Sequence, residues 1–169
     1  KERLDALRER AKELIPEAQI VVTDSEVTVD DPALIEGKRV LVIDDGPTLT
    51  HGEMGFGAGK VAAEKFGAAE IIDPRPFAVG SIKELYTRFP HLGNVVPAMG
   101  YYEEQLQELK ETIDRSECDT VVVATPFHLK RVIDLGKPSA KVSYVSKDRG
   151  EPTIKKVVEE FLKERNLTK

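Results

Sequence analysis

The chain has 169 residues and a formal net charge of −5, from 25 Lys and Arg against 30 Asp and Glu. This acidic balance argues against a nucleic-acid partner, and no apolar run reaches the roughly 18–20 residues of a membrane span. The single Cys118 allows no internal disulfide, and with no signal-peptide pattern at the start it favours a cytoplasmic protein without membrane partners.

Apolar spacing and β-branched runs predict helices that alternate with buried strands. In chain order we expect a helix over 1–15, a strand over 19–23, a helical turn within a polar connector at 32–36, a strand over 39–44, a long loop over 45–56, a helix over 57–66, a strand over 69–73, a helix over 81–89, an irregular stretch over 90–102, a helix over 103–116, a strand over 119–124, a helix over 127–136, a strand over 140–145 and a helix over 152–166.

This alternation predicts an α/β fold, a Rossmann-like three-layer arrangement with a mostly parallel sheet and helices on both faces. We expect one domain over 1–169. Ligands of such folds bind beyond the carboxyl ends of the strands. That position holds Asp44, Asp45, Asp73 and Thr125.

A glycine-rich segment before the third predicted helix resembles a nucleotide-binding loop. It fails as a P-loop, because Met54 stands where the first glycine is needed and Val61 where the magnesium-binding hydroxyl is needed. Gly57 to Ala62 matches G-x-G-x-x-A, but a long loop separates it from the preceding strand. Gly57 and Gly59 then either permit close helix–sheet packing or present backbone amides to an anion, and we favour the anion.

Polar residues around this segment each allow two interpretations. His51 is either an acid–base group or a solvated loop residue. Asp44 and Asp45 either bind Mg²⁺ through water or cap the turn. Arg75, held between two prolines, either binds phosphate or pairs with Asp73.

Three further residues are candidates of lower weight. His91 is interpreted as structural, and Cys118 as inert because no activating neighbour is evident. His128 could face a ligand at the start of a helix, but a capping role for Thr125 explains that segment equally well.

Two long runs, DGPTLTHGEM (45–54) and DPRPFAVGSI (73–82), carry a family resemblance. With the flanking segments from about Val29 to Tyr144, they resemble the C-terminal part of cyclic 2,3-diphosphoglycerate synthetase and of sister proteins described as predicted GTPases. Tyr102 and the ATPFHLKR run depart from that pattern. The resemblance implies a larger parent with a P-loop upstream, and the start at Lys1 rather than Met agrees with a part of a longer protein. High Lys and Glu content without Trp is typical of thermophiles.

The resemblance implies an ATP- or GTP-dependent enzyme, with Mg²⁺, that acts on a phosphorylated small molecule; this chain, without the N-terminal P-loop region, would be inactive alone. We predict His51, Asp44 and Asp45 as catalytic, with Asp44 and Asp45 also as metal ligands. The predicted phosphate-binding residues are Thr48, Thr50, Gly52, Gly57, Gly59, Arg75, Ser81 and Thr125. Thr50, His51 and Arg75 are expected to rim one pocket.

Two other functions remain open from the sequence. The region could be a scaffold or dimerisation module of a regulatory GTPase, which makes a homodimer possible. It could also be a dinucleotide-binding oxidoreductase, although the loop before Gly57 and the early position of Asp73 speak against that.

Overall fold

A six-stranded sheet organises the chain, and the computed structural model describes residues 2–98, 102–127 and 129–167. The helices are α1 (Glu2–Leu14), α2 (Gly46–Thr50), α3 (Ala58–Lys65), α4 (Gly80–Arg88), α5 (Glu103–Arg115) and α6 (Ile154–Glu164). The strands are β1 (Thr23–Val29), β2 (Arg39–Asp45), β3 (Glu70–Ile71), β4 (Val96–Ala98), β5 (Thr120–Ala124) and β6 (Ser139–Asp148). Single 3₁₀ turns lie at Pro32–Leu34 and Leu129–Arg131.

The sheet is mixed and mostly parallel, with the order β1-β6-β5-β2-β3, and β4 also pairs with β2. Strand β2 is parallel to β3, β4 and β5, and β5 is parallel to β6. The carboxyl ends of β2 and β5 therefore lie at one edge of the sheet, beside the middle of β6. The predicted α/β class with a mostly parallel sheet is confirmed.

Alternate residues of β2 face opposite sides of the sheet, and each side has its own core. Val40 and Val42 pack with Ala62 and Ala63 of α3 on one side. Leu41 and Ile43 pack on the other side with the buried residues of α4 and α5: Ile82, Leu109 and Ile113. Both faces of the strand are buried, which is why it reads as a continuous aliphatic run.

The chain divides into two compact units, one over Val27–Tyr144 and one from its two ends, 1–26 and 145–169. The single domain over 1–169 stays a prediction. Among helices of the described residues, none combines the length and the apolar character that crossing a bilayer requires.

Four predicted elements need correction. The strand expected over 19–23 lies at Thr23–Val29, in residues interpreted as connector, because its first four residues are exposed and polar. The expected loop 45–56 contains α2, which Asp45 caps. The stretch 90–102 contains β4. In the described part of 127–136, only the turn Leu129–Arg131 is helical.

Leu129 and Leu135 are both buried in the segment 127–136, which was expected to be a helix. The Asp134 side chain accepts a hydrogen bond from the amide of Gly136, a local turn that competes with helix. His128, considered as a ligand contact, lies outside the described residues.

Candidate functional site

Asp44 is the last residue but one of β2, and it is fully buried. Its Oδ2 accepts a hydrogen bond from the amide of Gly57 at 2.8 Å, and its Oδ1 accepts one from the amide of Gly59 at 2.6 Å. A further backbone bond comes from Lys60. Burial raises the pKa of the Asp44 carboxyl above its usual value, although these amide bonds oppose the shift.

Gly57 and Gly59 are required because Asp44 approaches the start of α3 so closely. A Cβ at Gly57 would lie 2.8 Å from Asp44 Cγ, and one at Gly59 would lie 2.7 Å from Val42 Cγ1. The contact with Asp44 therefore combines the two interpretations of these glycines, close helix–sheet packing and anion binding by backbone amides. The helix packs closely on the sheet, and its amides bind an anion that belongs to the same chain.

Asp45 caps α2. Its Oδ2 accepts hydrogen bonds from the Thr48 amide at 3.3 Å and from Thr48 Oγ1 at 2.9 Å. Its other oxygen, Oδ1, makes no hydrogen bond with any residue that the structure describes. Asp45 thus caps the helix with Oδ2, and Oδ1 can accept a hydrogen bond from a second partner.

The loop residues after Asp45 have mainly local partners. The Thr50 hydroxyl is buried, donates to the carbonyl of Gly46 at 2.9 Å and lies 3.2 Å from Nδ1 of His51. His51 itself is exposed and ends α2. Gly52 is needed because a Cβ there would lie 2.5 Å from the Thr48 carbonyl oxygen. The roles predicted for these three residues in phosphate binding and catalysis stay predictions.

Ser81 is the second residue of α4 and is bound by a carboxylate of α5. Oε2 of Glu108 accepts hydrogen bonds from the Ser81 amide at 3.1 Å and from the Ser81 hydroxyl. The N-termini of α2, α3 and α4 therefore each hold a carboxylate of the chain itself. Where the sequence predicted a phosphate at Gly57, Gly59 and Ser81, the structure places Asp44 and Glu108.

Arg75 pairs with Asp73, as the alternative interpretation of the sequence had it. Its Nε and Nη2 donate to both carboxylate oxygens at 2.6–3.0 Å. The guanidinium lowers the pKa of the Asp73 carboxyl. No hydrogen bond or ion pair joins Arg75 to Thr50 or His51 within the described residues, and the pocket rimmed by these three residues stays a prediction.

A cleft of about 450 Å³ opens at the carboxyl ends of β2 and β5, beside the middle of β6. It contains three of the predicted site residues, Asp45, Thr48 and Thr125. Thr125 is buried, and its Oγ1 also accepts a hydrogen bond from the amide of Phe127 at 3.3 Å. The remaining lining residues are Ala124, Pro126, Lys141, Val142, Ser143 and Tyr144.

Three cleft-lining residues, Lys141, Ser143 and Tyr144, were not predicted as site residues from the sequence. Their strand was predicted, but only the sheet order shows that β6 lies beside β5, where Thr125 had been singled out. The order of strands in the sheet, which places β6 beside β5, was the information that the sequence did not provide. Burial, together with the charges of Asp44 and Asp45, raises the pKa of the Tyr144 phenol, so this hydroxyl is a donor at neutral pH.

The predicted metal ligands Asp44 and Asp45 follow each other at the end of β2. Both oxygens of Asp44 already accept amide hydrogen bonds. In the part of the chain that the structure describes, no three His, Cys, Asp or Glu side chains come close enough to hold a metal ion. A cation bound through Asp45 would need its other ligands from water and substrate, which is the coordination Mg²⁺ commonly has.

The fold is α/β, and the cleft beside the ends of β2 and β5 combines carboxylate, hydroxyl and lysine groups with the apolar residues Ala124, Pro126 and Val142. The chain is similar to the arginine synthetase ArcE of Thermococcus kodakarensis, with 52% identity over 160 residues. The match covers 95% of this chain and 36% of that protein, so the chain spans about a third of its relative's length. No family model and no solved structure matches the chain.

This relative is named a synthetase, which supports the ligase class expected from the sequence. Cyclic 2,3-diphosphoglycerate as the product has no support from the comparisons, because the relative's name states a different product.

Proposed function

We propose that the chain is the substrate-holding part of an ATP- or GTP-dependent synthetase of the arginine synthetase kind. The cleft formed by the ends of β2 and β5 and the middle of β6 carries this proposal, because it joins one available carboxylate oxygen to several hydroxyl groups and a lysine. The 52% identity to an arginine synthetase supplies the reaction class.

The lining suits a substrate that bears both nitrogen donors and an anionic group. Oδ1 of Asp45 can accept a charge-assisted hydrogen bond from a guanidinium or amide N–H. Lys141, on β6, supplies the positive charge that a carboxylate or phosphate requires. Thr48 and Thr125 add hydroxyl groups that fix orientation.

Nucleotide binding is assigned to polypeptide beyond the matched region. The Gly59–Lys60 segment lacks the P-loop pattern, and the amides at its helix N-terminus bind Asp44. The match leaves most of the relative's length without a counterpart here. A P-loop region N-terminal to this chain, as the family resemblance implies, would present ATP or GTP with Mg²⁺ to the substrate held in the cleft.

Cyclic 2,3-diphosphoglycerate synthesis is the second candidate, favoured by the runs DGPTLTHGEM and DPRPFAVGSI. In that reaction the cleft would hold phosphoryl groups, with Lys141 and the hydroxyls of Thr48 and Thr125 as their partners. Phosphoryl transfer depends chiefly on positioning and charge neutralisation, which these groups would provide.

Calorimetric titration of the 169-residue chain with L-arginine and with 2,3-diphosphoglycerate tests both. We expect L-arginine to bind and Asp45→Asn to weaken it about 10- to 100-fold, the effect of losing a charged hydrogen bond. Glu36→Gln, outside the cleft, should leave affinity unchanged. Binding of 2,3-diphosphoglycerate alone would transfer the proposal to the second candidate. Binding of neither, or binding that Asp45→Asn does not affect, would refute the assignment of the cleft.

A further inference from the structure

The smaller unit lacks a closed core. In its described residues, 2–26 and 145–167, no residue is buried. Its two helices, α1 and α6, have no buried positions. A unit of this size needs substantial burial of apolar surface to remain folded. An additional surface is therefore required to cover it.

Helix α6 presents a continuous apolar stripe. Ile154, Val158 and Phe161 follow one another at intervals of four and three residues and so share a face. Their exposed fractions are 44%, 48% and 50%. Val157 is half-buried beside them, and the Arg165 guanidinium lies 5.3 Å from the Phe161 ring centroid. This stripe is the largest apolar feature of the smaller unit's last helix.

The pattern of apolar and charged residues in α6 allows the helix to pair with a second copy of itself that runs in the opposite direction. The segment 154–161 reads IKKVVEEF, so it runs apolar, two lysines and apolar, then apolar, two glutamates and apolar. Two copies placed antiparallel about an axis between Val157 and Val158 bring Ile154 of each copy opposite Phe161 of the other. The two valines then meet at the centre. Such a match of a surface with itself is the requirement for a twofold interface.

The charges match in the same arrangement. Lys155 and Glu159 flank one side of the stripe, while Lys156 and Glu160 flank the other, because residues four apart share a helix face. In the antiparallel pair, each side of the stripe meets the same side of the partner's stripe. Lys155 therefore lies near Glu159 of the partner subunit, and Lys156 lies near Glu160 of the partner subunit. A parallel pair would instead set lysine against lysine.

Existing ion pairs of these side chains do not oppose this arrangement. Lys155 lies 3.8 Å from Glu159 of its own helix, and Lys156 lies 3.6 Å from Glu151. All of these side chains are more than half exposed. Exposed pairs of this kind contribute little stability, so exchanging them for contacts between subunits costs little.

We propose that α6 is a dimerisation surface, on which two copies of the chain pair through antiparallel α6 helices about Val157 and Val158. The apolar stripe supplies the attraction, and the lysine–glutamate order selects a second copy in antiparallel orientation. This proposal does not depend on the function assigned to the cleft.

Sedimentation equilibrium of the 169-residue chain tests the mass directly. We expect a concentration-dependent species of twice 18.8 kDa. Val158→Glu places a charge at the apolar centre and should leave a species of 18.8 kDa only. Glu103→Lys with Glu104→Lys, two exposed positions on α5, is the control and should dimerise like the original chain. Circular dichroism establishes that each variant is folded.

Charge exchange tests the orientation and the partner. Glu159→Lys with Glu160→Lys gives four lysines, and Lys155→Glu with Lys156→Glu gives four glutamates, so each variant alone should be monomeric. An equimolar mixture of the two should recover the dimer mass. A monomeric original chain would overturn the proposal and assign the stripe to another polypeptide. Dimers of either variant alone, or a mixture that stays monomeric, would also overturn it.

Discussion

Oδ1 of Asp44 lies 2.6 Å from the backbone nitrogen of Gly59 and accepts its hydrogen bond. This contact joins the end of β2 to the first turn of α3. An anion-binding helix N-terminus, which the sequence suggested, is thereby used inside the fold. The ligand site proposed above is a separate feature, the cleft beside Asp45, Thr48 and Thr125.

Replacing Gly59 by Ala should destabilise the chain. The new Cβ would lie 2.7 Å from Val42 Cγ1 and 2.8 Å from Asp44 Oδ1, atoms of a packed core that cannot move freely. We expect a loss of about 1–3 kcal/mol in the free energy of unfolding, the usual cost of overpacking, despite the better helix propensity of Ala. Urea denaturation measures it. Val61→Ala on the exposed side of the same helix should change stability by less than about 0.5 kcal/mol.

Ionisation of Asp44 should lower stability as the pH rises. Burial raises the pKa of this carboxyl in the folded state above its usual 3.8. The folded state therefore holds the proton more tightly, and this contribution is complete below the unfolded pKa and disappears as the pH rises through the folded one. Urea denaturation at a series of pH values that starts below 3.8 and rises to neutrality should show the decline in the original chain.

Asp44→Asn removes the titrating group and serves as the reference for that decline. The difference in unfolding free energy between the two chains should change with pH only across the Asp44 window. A constant difference over the whole range would contradict the raised pKa.

Arg75→Ala should have a small effect on both stability and binding. Arg75 and Asp73 are 54% and 42% exposed, and an exposed pair contributes no more than about 1 kcal/mol even with forked geometry. Added salt should reduce that contribution further. Thermal denaturation at low and high salt measures it. A loss of ligand affinity above tenfold in the same variant would restore Arg75 to the binding site.

Two substitutions at Asp45 separate helix capping from ligand binding. Asn caps a helix about as well as Asp, so Asp45→Asn should change stability little, while Asp45→Ala should cost about 0.5–2 kcal/mol. Both remove the charge from the cleft. Denaturation curves of the two variants provide the comparison, and equal stabilities would show that Asp45 does not cap α2.

The sequence by itself determined the elements whose signals are local. The aliphatic run of β2 and the amphipathic pattern of α5 predicted these elements within a few residues, because the signal of each lies in its own residues. It failed at β1, whose first four residues are exposed, and at 127–136, where the described residues form only the single turn Leu129–Arg131.

Only the tertiary structure decided which partner each polar group has. The sequence contained Asp44, Gly57 and Gly59 as candidates, but the distance between the end of β2 and the start of α3 determined that the carboxylate binds the amides. The sheet order likewise brought Lys141 and Tyr144 beside Asp45. Periodicity reports which side of an element is buried, whereas contacts between distant residues depend on how the strands are ordered and how closely the helices pack on them.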